Sequence, residues 1–428
     1  MAGALLAAPM VHAEGEAVQV GSLALDGTLF WEGEAVGAAP IHSLPFGPSN
    51  SAAPRCTLEG NPCQHFEFEV LDAGAHALRL GFDTPERDDA FEITVVQPSG
   101  QSTVLTNPNS YSVESSFPSP AVGVWRVSVA PYSAEDAPFR MRAKLESARY
   151  VPTPDAEGLL LPNLVVTRTW EFGFAAPVNP LNGPFLAPDD ANPPASAGGF
   201  EPLSCSPDET VDDGATRCLR YSFALGNAGA GPFDLRWTAD QTSTGHDVFQ
   251  CLARADGTVA AHEAGTGSYH ATHGHWHYDD VVWHRLYSLA ADGTLTPAGD
   301  GKKIGYSPAD QGIVRWDEFT QDRAGTSASA GSCVAGANRR LGLSRGWGDA
   351  YRYQRAGNYV DFNVNNDGEY VVHTVVDPTG HLRETDDSDN VFYTHIRVTG
   401  NDVEVLESGY GDSPLDPDKR VVTDWWTD

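Results

Sequence analysis

The sequence predicts an all-β protein with two β-sandwich domains, the C-terminal one carrying the active site on long loops. The chain has 428 residues, including 43 glycines and 30 prolines, and its apolar residues fall in short runs that alternate with polar ones. Alternation with a period of two is typical of strands with one buried face, and glycine and proline favour the turns between them. A chain of this length can form two or three domains with cores of their own.

The first residues of the chain are expected to direct export. Residues 1–14 resemble the remnant of a secretory signal peptide, because an apolar run precedes Val11-His12-Ala13, which fits a cleavage site. Residues 15–54 read as an N-terminal extension with one or two short strands. We therefore expect a secreted protein, either extracellular or periplasmic.

Residues 55–150 predict the first sandwich. Turn signals such as Pro98-Ser99-Gly100 separate its alternating runs, which are Phe66–Val70, Leu78–Phe82, Phe91–Val95, Trp125–Val129 and Phe139–Ala143. In this pattern the segment is similar to the pre-peptidase C-terminal domains attached to many secreted bacterial enzymes. That resemblance implies an accessory module for binding or folding.

The rest of the chain is expected to form a linker at 151–160, a catalytic domain at 161–405 and an acidic tail at 406–428. Residues 174–206 are rich in proline, glycine and alanine and predict a long loop. The run Asn365-Asn366-Asp367-Gly368 is interpreted as a hairpin turn between two strands. The strands expected in this domain are at 217–227, 234–237, the histidine-rich segment, 359–363, 370–376 and 392–398.

Six cysteines fit an exported protein if they pair in disulfides. Proximity in sequence favours Cys56 with Cys63 and Cys205 with Cys218, which leaves Cys251 with Cys333, although other connectivities are possible. The chain has no Cys-x-x-Cys pair, which argues against a zinc site made of thiolates.

The net charge of −31 makes duplex nucleic acid an improbable partner, because its phosphates would be repelled. The same charge would attract cationic amines or lysine-rich peptides, although solubility or adaptation to salt explains it equally well. The chain has no apolar run long enough for a membrane-spanning helix, so no membrane span is expected.

The segment Tyr269–Leu286 holds five of the fourteen histidines of the chain. On a strand, His273, His275 and His277 would project from the same face. Neutral imidazole is a common ligand for copper and zinc, so this pattern favours a metal site. A surface histidine tract, or core histidines without a ligand role, is the alternative interpretation.

This segment resembles the copper-binding segment of the lysyl oxidases, a His-x-x-His-x-His-x-His run followed by a histidine seven residues on. Here the run is His270, His273, His275, His277 and then His284. The resemblance implies that His273, His275 and His277 hold copper. It extends over about residues 161–405. The animal enzymes have a cysteine at the position of Thr272, so at least one disulfide must be arranged differently.

The resemblance also implies a lysine tyrosylquinone cofactor made from two side chains of the protein. The Gly-x-Lys segment of the family matches Gly301-Lys302-Lys303, and its tyrosine matches Tyr351, four residues after Trp347. By position the pair is Lys303 and Tyr351, with Lys302 and Tyr353 as alternatives. Trp347 stands where the animal enzymes have a cysteine. A quinone of this kind performs the demanding chemistry, while the protein supplies orientation and a base.

The base is less well defined by the sequence. His284 matches the histidine that follows the ligand run in the family, and we take it as a catalytic or supporting candidate. Its odd offset from His277 would place it on the opposite face of a straight strand, unless a bulge intervenes. Asp279 and Asp280 are further candidates nearby.

A second metal site is implied by the loop 384–390, which resembles the calcium loop of the family. Calcium favours hard oxygen ligands in flexible loops. The family commonly has an acid where this chain has Asn163, and an ordinary acidic turn is the alternative interpretation of the loop. The implied ligands are Glu384, Asp386, Asp389 and Asn390, with Asn163 and the backbone carbonyl of Leu164.

These features together predict a copper- and quinone-dependent amine oxidase that converts peptidyl lysine or other primary amines to aldehydes with O₂. A secreted metal-binding or adhesion protein without enzyme activity is the first alternative. A zinc hydrolase is the second, since three histidines leave one coordination position open, but the chain lacks a His-Glu-x-x-His pattern.

Overall fold

The protein is all-β in a computed structural model that describes residues 17–34, 63–84, 91–106, 112–131, 138–148, 151–175, 217–239, 245–270, 275–301, 303, 305–314, 333–353, 357–363 and 366–422. Every regular element among these residues is a strand, arranged in several sheets, which confirms the predicted fold class. The chain forms two compact units, residues 1–151 with 311–313 and residues 152–310 with 314–428.

The first unit consists of two sheets with a shared core. The strand order is β1-β3-β8-β5-β6 in one sheet and β2-β9-β4-β7 in the other. The strands are β1 Val18–Leu23, β2 Thr28–Glu34, β3 Gln64–Val70, β4 Ala77–Asp83, β5 Phe91–Val96, β6 Ser102–Thr106, β7 Ser112–Pro118, β8 Gly123–Pro131 and β9 Pro138–Glu146.

Aromatic residues on the inner faces join these two sheets. The ring of Phe139 on β9 lies 6.1 Å from that of Phe66 and 5.5 Å from that of Phe91, both in the other sheet. Trp125 on β8 is fully buried, while Arg126 beside it points outward to Glu67. The alternation in the sequence therefore corresponds to one buried and one solvent-facing side of each sheet. The strands β1 and β2, within the segment predicted as an extension, pair with β3 and β9.

The second unit contains three larger sheets around one core. The remaining strands of the chain are β10 Leu159–Leu160, β11 Leu164–Ala175, β12 Cys218–Asn227, β13 Phe233–Trp237, β14 His246–Arg254, β15 Val259–His270, β16 His275–Asp279, β17 Val282–Leu289, β18 Leu295–Asp300, β19 Gly305–Tyr306, β20 Gly312–Ile313, β21 Arg339–Leu343, β22 Trp347–Tyr351, β23 Tyr359–Asp361, β24 Gly368–Val376, β25 Val391–Thr399, β26 Asp402–Tyr410 and β27 Arg420–Val421.

The three sheets place the histidine-rich segment at a junction. One has the order β19-β16-β15-β14-β13-β21, a second contains β11-β12-β22, and the third is β18-β17-β24-β25-β26-β27. Consecutive strands β16 and β17 lie in different sheets. Asp280 between them has a φ of 58°, a left-handed conformation that turns the chain sharply. His277 and His284 therefore do not lie on one straight strand.

The prediction of a hairpin turn at 365–368 is wrong. The strand before it, β23, pairs with β12, whereas the strand after it, β24, pairs with β17 and β25. The segment connects two sheets, and Asp367 accepts a hydrogen bond from the backbone of Gly400. The predicted boundary at 405 falls inside β26, which pairs with β25 and β27.

Disulfides connect distant parts of the chain. Cys251 and Cys333 are bonded, with their Cα atoms 5.4 Å apart, as the sequence predicted. Cys63 and Cys218 each take part in a disulfide, and the partners that the sequence predicts for them, Cys56 and Cys205, lie outside the described residues. In the described part of the chain no helix is long and apolar enough to cross a membrane.

Candidate functional site

Two of the predicted copper ligands lie together on β16. The Nε2 atoms of His275 and His277 are 2.9 Å apart. Between them Trp276 packs against the rings of Trp237 and Tyr269, at 5.9 and 5.4 Å. Because alternate residues of a strand share a face, burial of Trp276 turns both histidines to the other side. His277 is buried and His275 is exposed, so the pair lies at the edge of the core.

The third predicted ligand, His273, lies outside the described residues. Among those that are described, no group of three or more His, Cys, Asp or Glu side chains is placed to hold a metal. The structure therefore brings together two of the three predicted copper ligands. Two imidazole nitrogens that converge on one side of a strand suit a metal such as copper.

The segment that carries Lys303 lies beside this histidine strand. Strand β19 pairs with β16, with Tyr306 opposite Tyr278. A Cβ atom at Gly305 would lie 2.9 Å from both the Cβ and the Nδ1 of His277. Only glycine lets the backbone approach that closely, so Gly305 is needed for the contact between β16 and β19.

Gly301 has a similar role next to His284. Its amide donates a hydrogen bond to the carbonyl of His284, at 2.7 Å. A Cβ atom there would lie 2.6 Å from the Cβ of His284. The glycine of the Gly-x-Lys segment therefore permits the close passage that leads the chain into the core at Lys303.

Lys303 and Tyr351 are both buried, and both contact the ring of Tyr306. The Nζ atom of Lys303 lies over this ring, 5.0 Å from its centre. The Tyr351 ring is edge-on to it, with 4.8 Å between centres. The amine and the Tyr351 ring centre are thus no farther apart than the sum of these two distances. Lys302, the alternative lysine, lies outside the described residues.

Phe223 on β12 supports the two tyrosines. The Tyr351 ring stacks on it at 5.1 Å, and the Tyr306 ring meets it edge-on at 5.7 Å. Tyr353, the alternative tyrosine, is buried, and its amide and carbonyl bond to Ser222 and Arg220. These two bonds hold the backbone of Tyr353 against β12, and the ring of Tyr351 contacts the residues around Lys303.

His284 is buried between two phenols. Its Nδ1 lies 2.5 Å from the Tyr221 hydroxyl and its Nε2 lies 2.8 Å from the Tyr306 hydroxyl. Burial, with the nearby charge of Lys303, lowers the pKa of His284 to about 3. The imidazole is therefore neutral at ordinary pH, so one nitrogen donates a proton and the other accepts one. These contacts fit a role for His284 in orienting Tyr306 better than a role in contacting a substrate directly.

The two aspartates near the histidines make local contacts. Asp279 accepts hydrogen bonds from Ser268 and Thr266, and burial raises its pKa. Asp280 accepts a bond from the indole of Trp283. Asp279 therefore connects the end of β16 to β15, and Asp280 stabilises the turn between β16 and β17.

The predicted calcium residues come together from two distant segments. The Nδ2 of Asn163 donates to Asp389 Oδ2 at 3.1 Å, and its Oδ1 accepts from the amide of Asp386 at 3.0 Å. The amide of Leu164 donates to Glu384 Oε2 at 2.5 Å, and Asn390 Nδ2 donates to Glu384 Oε1 at 3.4 Å. The contacts place all of the predicted residues in one cluster, although its carboxylates do not form a ligand set of three.

The electrostatics of this cluster favour a cation. Burial raises the pKa of Glu384 to about 8 and also raises that of Asp389. The Oδ1 atoms of Asp389 and Asn390 are buried and have no hydrogen-bond partner among the described residues. Buried oxygens without a donor are costly, and a calcium ion would satisfy them. The residues present therefore fit the metal.

Sequence reasoning did not identify Tyr306, Tyr221 or Phe223 as part of the site. Tyr221 and Phe223 lie on β12, and their contacts with His284 on β17 join positions far apart in the chain. Tyr306 follows Lys303 by three residues, and this proximity is the one signal that could have drawn attention to it.

Comparisons with known proteins do not show a family. No family model matches the chain, and no curated protein matches it. Among solved structures, a glycoside hydrolase family 32 protein from Bifidobacterium adolescentis is similar at 10% identity and a TM-score of 0.15, over 80% of this chain and 67% of the other. Tripeptidyl peptidase 2 is similar at 11% identity and a TM-score of 0.18, over 84% of this chain and 29% of the other. Likenesses this weak carry no functional argument.

Proposed function

We propose that this protein is a secreted, copper-dependent amine oxidase of the lysyl oxidase type, located outside the cell or in the periplasm. Its substrates are peptidyl lysine or other primary amines. The overall reaction takes an amine, O₂ and water and yields an aldehyde, ammonia and hydrogen peroxide. The proposal rests on the resemblance in sequence together with the packing of the residues that would carry the chemistry.

The observation that carries the proposal is the shared contact of Lys303 and Tyr351 with Tyr306. The two residues are far apart in sequence, yet both side chains are buried and both reach one ring. A lysine buried together with two tyrosines is an arrangement that a chemical role would explain. The formation of a cofactor from the lysine and a tyrosine supplies such a role and requires this proximity.

Copper would be held by His275 and His277, with His273 as the third ligand. The convergence of the two Nε2 atoms to 2.9 Å supports this assignment. Copper supplies the activation of O₂ that cofactor formation requires. The chain itself contributes the orientation of Tyr351 by Phe223, the approach of Lys303 and the exclusion of water from both side chains.

Calcium is the second metal of the proposal, bound by Glu384, Asp386, Asp389 and Asn390 with Asn163 and the carbonyl of Leu164. Its role is structural, because the cluster joins the start of β11 to the loop between β24 and β25. The substrate is cationic, and the net charge of −31 attracts it by long-range electrostatics.

Peroxide release tests the proposal. Purified protein incubated with copper in air is expected to produce hydrogen peroxide from a lysine-like amine, and a carbonyl reagent such as phenylhydrazine should block the reaction. Copper binding without peroxide from any amine would contradict it and would favour a non-enzymatic metal-binding or adhesion protein.

A further inference from the structure

Tyr306 is the residue at which the parts of the candidate site meet, and the proposed function gives it no role. It is fully buried on β19, next to the histidine strand β16. Its ring faces the amine of Lys303 and the ring of Tyr351, and its hydroxyl lies 2.8 Å from His284 Nε2. A core residue that served only for packing would not need a hydroxyl at this position.

We infer that Tyr306 is a positioning residue for cofactor formation, with its ring holding the Lys303 amine beside Tyr351 until the two side chains are joined. The hydrogen bond to His284 sets the orientation of that ring. This inference rests on the proposed function, because it assumes that Lys303 and Tyr351 form the cofactor. It assigns a role to Tyr306 that the resemblance does not contain.

Two physical effects allow Tyr306 to act in this way. An ammonium group over the face of an aromatic ring is attracted by the ring quadrupole, and more strongly where water is excluded. A lysine side chain also loses much rotational freedom when it reacts, so restricting it beforehand lowers the barrier. Lys303 is buried with its Nζ 5.0 Å from the ring centre. Water is therefore excluded from the amine, and the side chain is restricted before it reacts.

The Tyr306 ring is held in place by a series of hydrogen-bonded side chains. Tyr221, His284 and Tyr306 are joined by contacts of 2.5 and 2.8 Å through the two nitrogens of the imidazole. Tyr221 is in turn stacked on Phe172 at 4.8 Å. Because all three side chains are buried, they have little freedom to move. These hydrogen bonds therefore link the orientation of the Tyr306 ring to the core of the domain.

The bond that Tyr306 would favour joins Lys303 Nζ to a carbon of the Tyr351 ring, after O₂ has oxidised that ring to a quinone. The ammonium group of Lys303 first releases one proton to bulk water, and the neutral amine then reacts. One N–H bond and one ring C–H bond break, and their two protons and two electrons reduce O₂ to hydrogen peroxide. The oxidant is the same O₂ that the proposed function uses.

The test measures how fast the cofactor forms. Copper is added in air to metal-free parent protein and to the variants Tyr306→Phe and Tyr306→Leu. Quinone absorbance is followed with time, and the fraction of cross-linked Lys303–Tyr351 peptide is measured by mass spectrometry. Tyr306→Phe removes the hydrogen bond to His284, so formation should slow about fivefold. Tyr306→Leu removes the ring as well, so the slowing should be greater still.

Tyr370→Phe is the matched control. Tyr370 is also buried, and its hydroxyl also makes a hydrogen bond of 2.8 Å, to the carbonyl of Asn366. This variant should form the cofactor at the parent rate. Copper affinity is measured for all four proteins and should agree, which separates positioning from a loss of the metal site. Equal rates for Tyr306→Phe and the parent would overturn the inference.

A measurement on metal-free protein separates failure of this inference from failure of the proposed function. The acylation rate of Lys303 by an amine-directed reagent is measured by peptide mapping. If the Tyr306 ring restrains the amine, Lys303 should be labelled several times faster in the Tyr306→Leu variant than in the parent. Equal labelling of the two proteins would overturn the inference even if the parent forms its cofactor. A parent without quinone or cross-link would instead refute the proposed function.

Discussion

Asn163 and Asp389, which are 226 positions apart in the sequence, are joined by a hydrogen bond of 3.1 Å from Nδ2 to Oδ2. The other oxygen of Asp389 is buried and has no hydrogen-bond partner among the described residues, while Arg420 lies 3.5 Å from the bonded oxygen. The carboxylate thus belongs to a cluster that joins the first long strand of the unit to a loop near its end. A cation in this cluster would stabilise both segments.

Calcium is therefore expected to raise the thermal stability of the parent protein. A ligand that binds only the native state stabilises it by about 2.7 kcal/mol at a concentration one hundred times its Kd. The double variant Asp386→Asn with Asp389→Asn should lose this increase, as measured by thermal unfolding with calcium and with a chelator. Asp292→Asn is a suitable control, because Asp292 is an exposed turn residue whose carboxylate accepts a hydrogen bond from Thr294. If chelation leaves the unfolding midpoint of the parent unchanged, the calcium site does not exist.

The buried His284 predicts a particular dependence of stability on pH. Burial, reinforced by the charge of Lys303, lowers its folded-state pKa to about 3, whereas the unfolded chain has the ordinary value of about 6.5. Between these two values the unfolded state binds more protons, so stability falls as the pH falls. The slope contributed by His284 is at most about 1.4 kcal/mol per pH unit.

The variant His284→Gln lacks this titration and serves as the comparison. It should be less stable than the parent at neutral pH because it loses the contacts with Tyr221 and Tyr306. The difference between the two proteins should narrow as the pH is lowered from about 6.5. Denaturant unfolding at a series of pH values measures it. A difference that stays constant or widens on acidification would contradict a neutral buried His284.

Gly301 predicts a steric effect. In the variant Gly301→Ala the new methyl group would lie 2.6 Å from the Cβ of His284, so the segment before Lys303 must move. Overpacking of this kind costs about 1–3 kcal/mol. Denaturant unfolding should show the loss, and cofactor formation should slow with it. Unchanged stability would mean that the segment does not pass against β17 as described.

The fold was predictable where strands have one buried face. In Trp125-Arg126-Val127 the alternation of burial in β8 repeats the alternation in the sequence, because each sheet has one face in the core. Strand β6, with the sequence STVLT, has little contrast between its two faces and was not predicted. The hairpin at 365–368 was wrong because local turn signals do not reveal which sheet the next strand joins.

The site was predictable only in part. The sequence pointed to His277, Lys303 and Tyr351 through residue type and resemblance, and the structure places them in one unit, on β16, just before β19 and on β22. The roles of Tyr306 and Tyr221 depend on contacts between distant positions, which periodicity does not encode. The turn at Asp280, with its left-handed backbone, likewise had no clear signal, and it determines where His284 lies.

The disulfide Cys251–Cys333 closes a segment of 82 residues that contains both the histidine strand and Lys303. Restricting a loop of this length in the unfolded chain is expected to stabilise the protein by about 4.5 kcal/mol in the chain-entropy model. The double variant Cys251→Ser with Cys333→Ser should lose most of this in denaturant unfolding. A loss below about 1 kcal/mol would show that the entropic account does not apply here.

The most direct test of the central claim is a peptide map of protein matured with copper in air. The account predicts a covalent link between the peptides that contain Lys303 and Tyr351, absent from Lys303→Ala and from Tyr351→Phe, with amine oxidase activity lost in both while copper stays bound. Loss of one of His273, His275 or His277 should instead remove copper first and the link as a consequence. If Lys303→Ala kept full activity, Lys302 would be the next candidate lysine. Full activity after replacement of both lysines, or fully active parent protein without a link at Tyr351, would contradict the account.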